Sequence, residues 1–107
     1  MEMRQFGRTD LEVSRLTFGC GAVGGLMVKG DASDQDRAVA WARDNGINFF
    51  DTAASYGNGV SETNLGRALA GKTDGIVVSS KVGIAAAEMG DIPSAVARSL
   101  DASLARL

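Results

Sequence analysis

Histidine is absent from the 107 residues, and cysteine, proline, tryptophan and tyrosine occur once each. Without imidazole there is no Ser-His or Cys-His nucleophilic pair and no His-based catalytic zinc site, and the commonest general base is missing. The lone cysteine, Cys20, closes no internal disulfide and builds no multi-thiolate metal or iron–sulfur centre, so a reducing compartment, the cytoplasm, is expected, with no metal site. Eleven basic against thirteen acidic residues leave a net charge of -2, which offers no general attraction to nucleic acid or anionic membrane. The N-terminus carries charge at Glu2 and Arg4 and no apolar signal core. Every apolar run is broken well short of the roughly 18 residues of a membrane span. What is left, 45% hydrophobic and 22% charged residues, is the composition of one globular domain or part of one.

Along the chain, short β-prone stretches alternate with helical patterns. Met3 to Phe6, the turn Gly7-Arg8-Thr9-Asp10, and Leu11 with Val13 predict a small hairpin that leads into a strand over Arg15 to Cys20. Ser33-Asp34-Gln35-Asp36 offers a capping-box-like helix start, with Ala38, Val39, Trp41 and Ala42 following and Asn45-Gly46 as the stop. Ile47 to Asp51 is a second strand, Ser61-Glu62 caps a helix that runs to Gly71, and Ile76 to Ser80 is a third strand closed by Lys81. Asp91 and Pro93 start a last helix whose Val96, Leu100, Leu104 and Leu107 share one face; that stripe and Trp41 are expected to face a core. Three strand–helix units of about thirty residues are the βαβ signature, which makes the fold α/β with parallel strands.

Two dinucleotide readings compete. Gly19-Cys20-Gly21-Ala22-Val23-Gly24 matches G-x-G-x-x-G after a strand, and Asp51 ends the next strand, where a Rossmann-type dehydrogenase domain keeps its ribose-binding acid. That mechanism needs a helix to open at the third glycine, and Gly25 to Asp31 is a poor helix start, better suited to a mobile loop. The second reading rests on Asp51-Thr52-Ala53-Ala54-Ser55-Tyr56-Gly57, on Gly59-Val60-Ser61-Glu62 followed by Leu65-Gly66-Arg67-Ala68-Leu69, and on Lys81. Phe6-Gly7-Arg8-Thr9 and Leu11-Glu12-Val13-Ser14 precede these, and Ser103-Leu104-Ala105-Arg106-Leu107 follows.

In register over nearly the whole chain, these stretches closely resemble the aldo-keto reductase family. The resemblance implies a (β/α)8 TIM barrel that uses NADPH or NADH to reduce aldehydes, ketones or sugars, or to oxidise the alcohol. It implies that residues 1–107 are the N-terminal part of that barrel, truncated after the third helix, with the C-terminal half missing. Of the family's Asp-Tyr-Lys-His tetrad, Asp51, Tyr56 and Lys81 match the first three; the His belongs to the next strand, beyond Leu107. Gly19 and Cys20 would meet the nicotinamide ribose alongside Asp51, although the family usually has Thr or Ser where Cys20 stands. Gly59-Val60-Ser61-Glu62 looks most like the aldose and sugar dehydrogenase branch. A barrel of the same family that keeps the cofactor and acts as a non-catalytic auxiliary subunit is the alternative.

The chemistry suits these residue types. A nicotinamide delivers hydride to carbon, and the protein must deliver a proton to oxygen. A phenol holds its proton at neutral pH, and a neighbouring ammonium favours the phenolate left behind, so Tyr56 beside Lys81 is a usable acid in reduction and base in oxidation. Asp51 and Lys81 end adjacent parallel strands about 4.8 Å apart, which makes an ion pair between them geometrically natural. Cys20 reads as a packing residue rather than a reactive thiol.

Overall fold

A computed structural model of the chain describes residues 1–21 and 23–107. The chain begins with an antiparallel hairpin, β1 (Met3–Gln5) and β2 (Glu12–Ser14), turned at Gly7, which takes φ 62. Three parallel strands follow in the spatial order β3 (Thr17–Gly19), β4 (Phe49–Asp51) and β5 (Val77–Ser79). Helices α1 (Leu26–Lys29) and α2 (Ala32–Asp44) join β3 to β4, α3 (Val60–Leu69) joins β4 to β5, and α4 (Ile92–Arg106) follows β5. This is the expected α/β order, hairpin included.

Side chains alternate across a strand, so the register decides what each face holds. Phe18, Phe50 and Val78 are paired across the sheet and point to the helices, where Phe50 is fully buried with Val39, Ala42, Leu65 and Leu69. Gly19, Asp51 and Ser79 form the next row and point to the side that carries no helix. The hairpin folds under that side at the N-terminal strand ends. Phe6 meets Phe49 edge-on at 5.5 Å. Asn48 pins it: its Oδ1 accepts from Ser14 N at 2.7 Å, and its Nδ2 donates to the carbonyls of Glu12 and Gly75, both at 3.0 Å. One end of the sheet is thereby closed, and the C-terminal strand ends stay open.

Several local expectations are corrected. Ser33 does not cap α2; the cap position is Asp31, without a side-chain bond, and the helix starts one residue later. Gln35 is buried instead, donating to the carbonyls of Leu26 and Gly30 at 3.0 and 2.9 Å and accepting from Arg67 at 2.6 Å. Those bonds finish the C-terminus of α1, a helical turn in the segment read as a poor helix start. Met27, 1% exposed, anchors that turn in the core, and Gly25 enters it at φ 72. Ala22, within the glycine-rich match, lies outside the described residues.

At α3 the cap position is Gly59 at φ 90, not Ser61; Ser61 and Glu62 lie inside the helix with no exposure at all. Asp91 does cap α4, accepting from Ser94 N at 3.3 Å, and Pro93 sits in its first turn. Of the α4 stripe, Leu107 packs against the core, but Leu100 is 52% and Leu104 65% exposed, and Trp41 on α2 is 64% exposed. Helix α4 instead meets α3 through small residues. A Cβ on Gly66 would stand 2.2 Å from the Arg106 carbonyl oxygen, so only glycine permits the approach.

Candidate active site

Asp51, Tyr56 and Lys81 come together at the open, C-terminal end of the sheet. The Lys81 ammonium donates to both carboxylate oxygens of Asp51 at 3.0 Å and to the Thr52 carbonyl at 2.8 Å. It also stands 5.0 Å from the centre of the Tyr56 ring. Desolvation alone would lower Lys81; hydrogen bonding to Asp51 and to Tyr56, with the attraction of Asp51, outweighs it and raises the ammonium above the usual lysine range. Lys81 therefore stays charged throughout the neutral range.

Tyr56 is placed by the turn after β4. Its amide donates to the Ala53 carbonyl at 3.0 Å, and its own carbonyl accepts from Ser61 N at 3.2 Å. The chain then turns through three positive-φ residues, Gly57, Asn58 and Gly59, at φ 63, 53 and 90. At Gly57 a Cβ would also meet the Val28 side chain at 2.8 Å, so α1 and this turn are fitted to each other through a glycine.

Gly19 ends β3 beside Asp51, and a Cβ there would touch nothing within 4 Å. A Cβ on Gly21 would lie 3.6 Å from the Tyr56 ring and 3.8 Å from its hydroxyl oxygen. Neither glycine puts a side chain on this rim, and at Gly21 a side chain would come against the phenol ring. Cys20, expected to share this rim, turns the other way. Its thiol is 1% exposed in the helix-side core and donates to the Phe18 carbonyl at 3.8 Å. Its amide donates to the Asp51 carbonyl and its carbonyl accepts from Ser61, both at 2.9 Å. Burial first, then the charge of Asp51, pushes the thiol up to about 12 against a smaller opposing effect of Lys81, consistent with an inert packing residue. Among the described residues no group of His, Cys, Asp and Glu is placed to hold a metal ion.

Sequence reasoning missed a second polar layer on the helix side of the same strand ends. Thr52 and Ser61 share a hydrogen bond of 3.0 Å, and Ser61 reaches on to Cys20. Glu62 accepts from the Ser80 hydroxyl at 2.5 Å and from Arg106 Nε at 2.6 Å. Burial would raise Glu62, but hydrogen bonds from Ser80, Ser103 and Arg106 and the Arg106 charge hold it below the usual carboxylate range. The available signal was Arg106, a cation placed near the end of a helix that packs on α3.

The model of the Aldo/keto reductase family matches residues 15–107. Among curated relatives, pyridoxal 4-dehydrogenase of Microbacterium luteolum is 40% identical over 82 residues, 77% of this chain and 24% of its own length. L-galactose dehydrogenase of Arabidopsis thaliana is 36% identical over 113 aligned positions, covering 100% of this chain and 34% of its own. Among solved structures, the holo form of aldo-keto reductase AKR11C1 from Bacillus halodurans superposes with a TM-score of 0.82 at 32% identity, over 100% of this chain and 36% of that one. The chain thus spans about a quarter to a third of the length of these proteins.

Proposed function

This chain belongs to the aldo/keto reductase family, with part of whose barrel it superposes, and we propose that residues 1–107 are the first three strand–helix units of a (β/α)8 barrel catalysing NAD(P)-dependent reversible oxidoreduction. The cofactor is NADPH or NADH, and the substrate is a small aldehyde, ketone or sugar, or the matching alcohol. Family membership sets aside the Rossmann alternative, which the sheet order β3-β4-β5 by itself does not exclude. The observation that carries the proposal is the Lys81 ammonium, held by both oxygens of Asp51 and set against the Tyr56 ring.

A bound nicotinamide supplies the hydride. The Tyr56 hydroxyl gives its proton to the oxygen that becomes the alcohol, and Lys81 stabilises the phenolate left behind. In the oxidative direction the phenolate takes the proton back. Asp51 keeps Lys81 charged and aimed, and Gly19 with Gly21 keeps the approach to the phenol open. The match with L-galactose dehydrogenase along the whole chain supports a sugar-like substrate. A reduced, buried Cys20 suits the cytoplasm.

In the complete barrel, Tyr56→Phe keeps the ring and removes the transferable proton, so turnover of a generic aldehyde falls at least about 100-fold while NADPH affinity changes little. Near-normal reduction by this variant overturns the role of Tyr56. If the unsubstituted barrel binds NADPH without any turnover, the auxiliary-subunit reading replaces the enzyme.

Residues 1–107 by themselves are proposed to be inactive and partly unfolded or self-associating. Among the described residues strand β5 has a neighbour on one side only, and Leu100 and Leu104 on α4 are exposed. Sedimentation of the isolated chain shows oligomers; a monomer with a single cooperative melt and NADPH-dependent reduction overturns this.

A further inference from the structure

The first turn of α3 touches the ends of all three parallel strands from beneath. Ser61 Oγ reaches the Cys20 carbonyl after β3 and the Thr52 hydroxyl after β4. Glu62, the next residue, reaches Ser80 after β5, and its other oxygen holds Arg106 of α4. The β5 contact matters most, because the sheet gives out there. Its last rung is Thr52 N donating to the Ser79 carbonyl at 2.8 Å. Beyond Ser79, among the described residues, no backbone–backbone hydrogen bond involves residues 80–84. Lys81 therefore begins a segment with no ladder to fix it, and the side-chain tether next to it is Ser80 Oγ on Glu62.

From this juxtaposition we propose that Glu62 is a positioning residue for the reaction centre: through Ser80 it fixes the strand end from which Lys81 reaches Asp51 and Tyr56. The inference rests on the role given to Lys81 above. Ser80 and Lys81 are consecutive, so they face opposite sides of the strand line, and a hold on one sets the backbone from which the other projects. Glu62 suits the task because both of its carboxylate oxygens are held. It is fully buried, held on two sides, and ionised, and a charged acceptor makes the stronger hydrogen bond. Ser61 does the corresponding work at β3 and β4, so two adjacent helix residues reference three strand ends to one another. Loss of the tether leaves Lys81 free to shift by an ångström or so, a displacement that is costly to an aligned proton transfer.

The test reads Lys81 directly in the complete barrel. Lysine labelled with 13C at Cε is titrated by NMR, and the Lys81 signal is assigned by its loss in Lys81→Arg. The titratable groups that face its ammonium are Asp51 of β4 and Tyr56 of the following turn, while the Cys20 thiol, just after β3, points into the helix-side core. Asp51→Asn is the control and moves the titration down. Ser80→Ala, which leaves the Glu62–Arg106 pair intact, is expected to move it down as well and to lower kcat about tenfold or more with little change in carbonyl KM. Glu62→Gln, nearly the same shape without the charge, is the second variant and moves it the same way. A titration that falls in Asp51→Asn but in neither Ser80→Ala nor Glu62→Gln overturns the positioning role and leaves the proposed site standing. One that moves in none of the three overturns the site assignment and the inference with it.

Discussion

At the ends of β4 and β5, Asp51 and Lys81 face the open side of the sheet, while their chain neighbours Thr52 and Ser80 face the helices. Both sides are polar, and on the buried side every side-chain nitrogen and oxygen has a partner, since among the described residues no buried one lacks one. They differ in access to water. The side chains of Asp51 and Lys81 are 38% and 49% exposed, whereas Thr52, Ser61 and Glu62 are at 0%. A group that must exchange a proton with a ligand has to be reachable, and a group that must hold a strand end is most effective where water cannot compete for its bonds. One residue of offset along a strand separates the two jobs.

The largest effect that would test this division is on the buried side. In the complete barrel, Glu62→Ala leaves Arg106 without its partner in a mostly buried setting and removes the acceptor of Ser80, so urea unfolding should show a loss of about 3–5 kcal/mol. A loss below 1 kcal/mol would mean that the layer is not structural.

A smaller effect is expected at Gly66. In Gly66→Ala the new methyl meets the Arg106 carbonyl oxygen and the Leu107 Cα, backbone atoms that yield only if α4 moves. About 1–3 kcal/mol should be lost, together with part of the Glu62–Arg106 contact, and a neutral result would show that α4 is not seated as described.

The smallest stability effect belongs to the open side. Lys81→Met removes a half-exposed ion pair, so it should cost under about 1 kcal/mol of stability while turnover collapses. A stability loss matching that of Glu62→Ala would erase the distinction between the two layers.

The two layers should also separate along the pH axis. Glu62 is held below its unfolded value, so its contribution is complete above the ordinary glutamate range and is lost as pH falls through the folded value. Lys81 is raised, so its smaller contribution is complete below the ordinary lysine range and is lost as pH rises through the folded value. In melting temperature against pH, Glu62→Gln should flatten the acid side and Lys81→Met the alkaline side.

Much of the open side was legible in sequence because its residues sit at strand ends inside a long motif. Asp51, Tyr56 and Lys81 are each ordinary residues alone; their match, in register along the chain, to the aldo-keto reductase motif is what singled them out. The buried side was hidden by a local rule. Ser61 followed by Glu62 reads as the start of a helix, since short polar residues commonly cap one, yet Gly59 in the left-handed region takes that position and turns both side chains inward. For Trp41 and Leu100 periodicity found a face, but a pattern of apolar residues does not say what covers it. Both are exposed here. The turn at Leu26–Lys29 escaped notice because two glycines flank it and its stability comes from Met27 in the core, a contact distant in sequence.

By itself, the sequence determined the order of hairpin, strands and helices and singled out the three residues that meet at one end of the sheet. These follow from alternation, turn residues and a motif, all of which are local or nearly so. Only the tertiary structure decided that Ser61 and Glu62 hold the strand ends and that Asn48 fastens the hairpin beneath the sheet. Each of those outcomes depends on which partner lies across a gap of nine or more residues, from Ser61 to Thr52 and Cys20, from Glu62 to Ser80 and Arg106, and from Asn48 to Glu12 and Gly75. Hydrogen bonds and burial across such distances are set by packing, which the neighbouring residues in the chain do not encode.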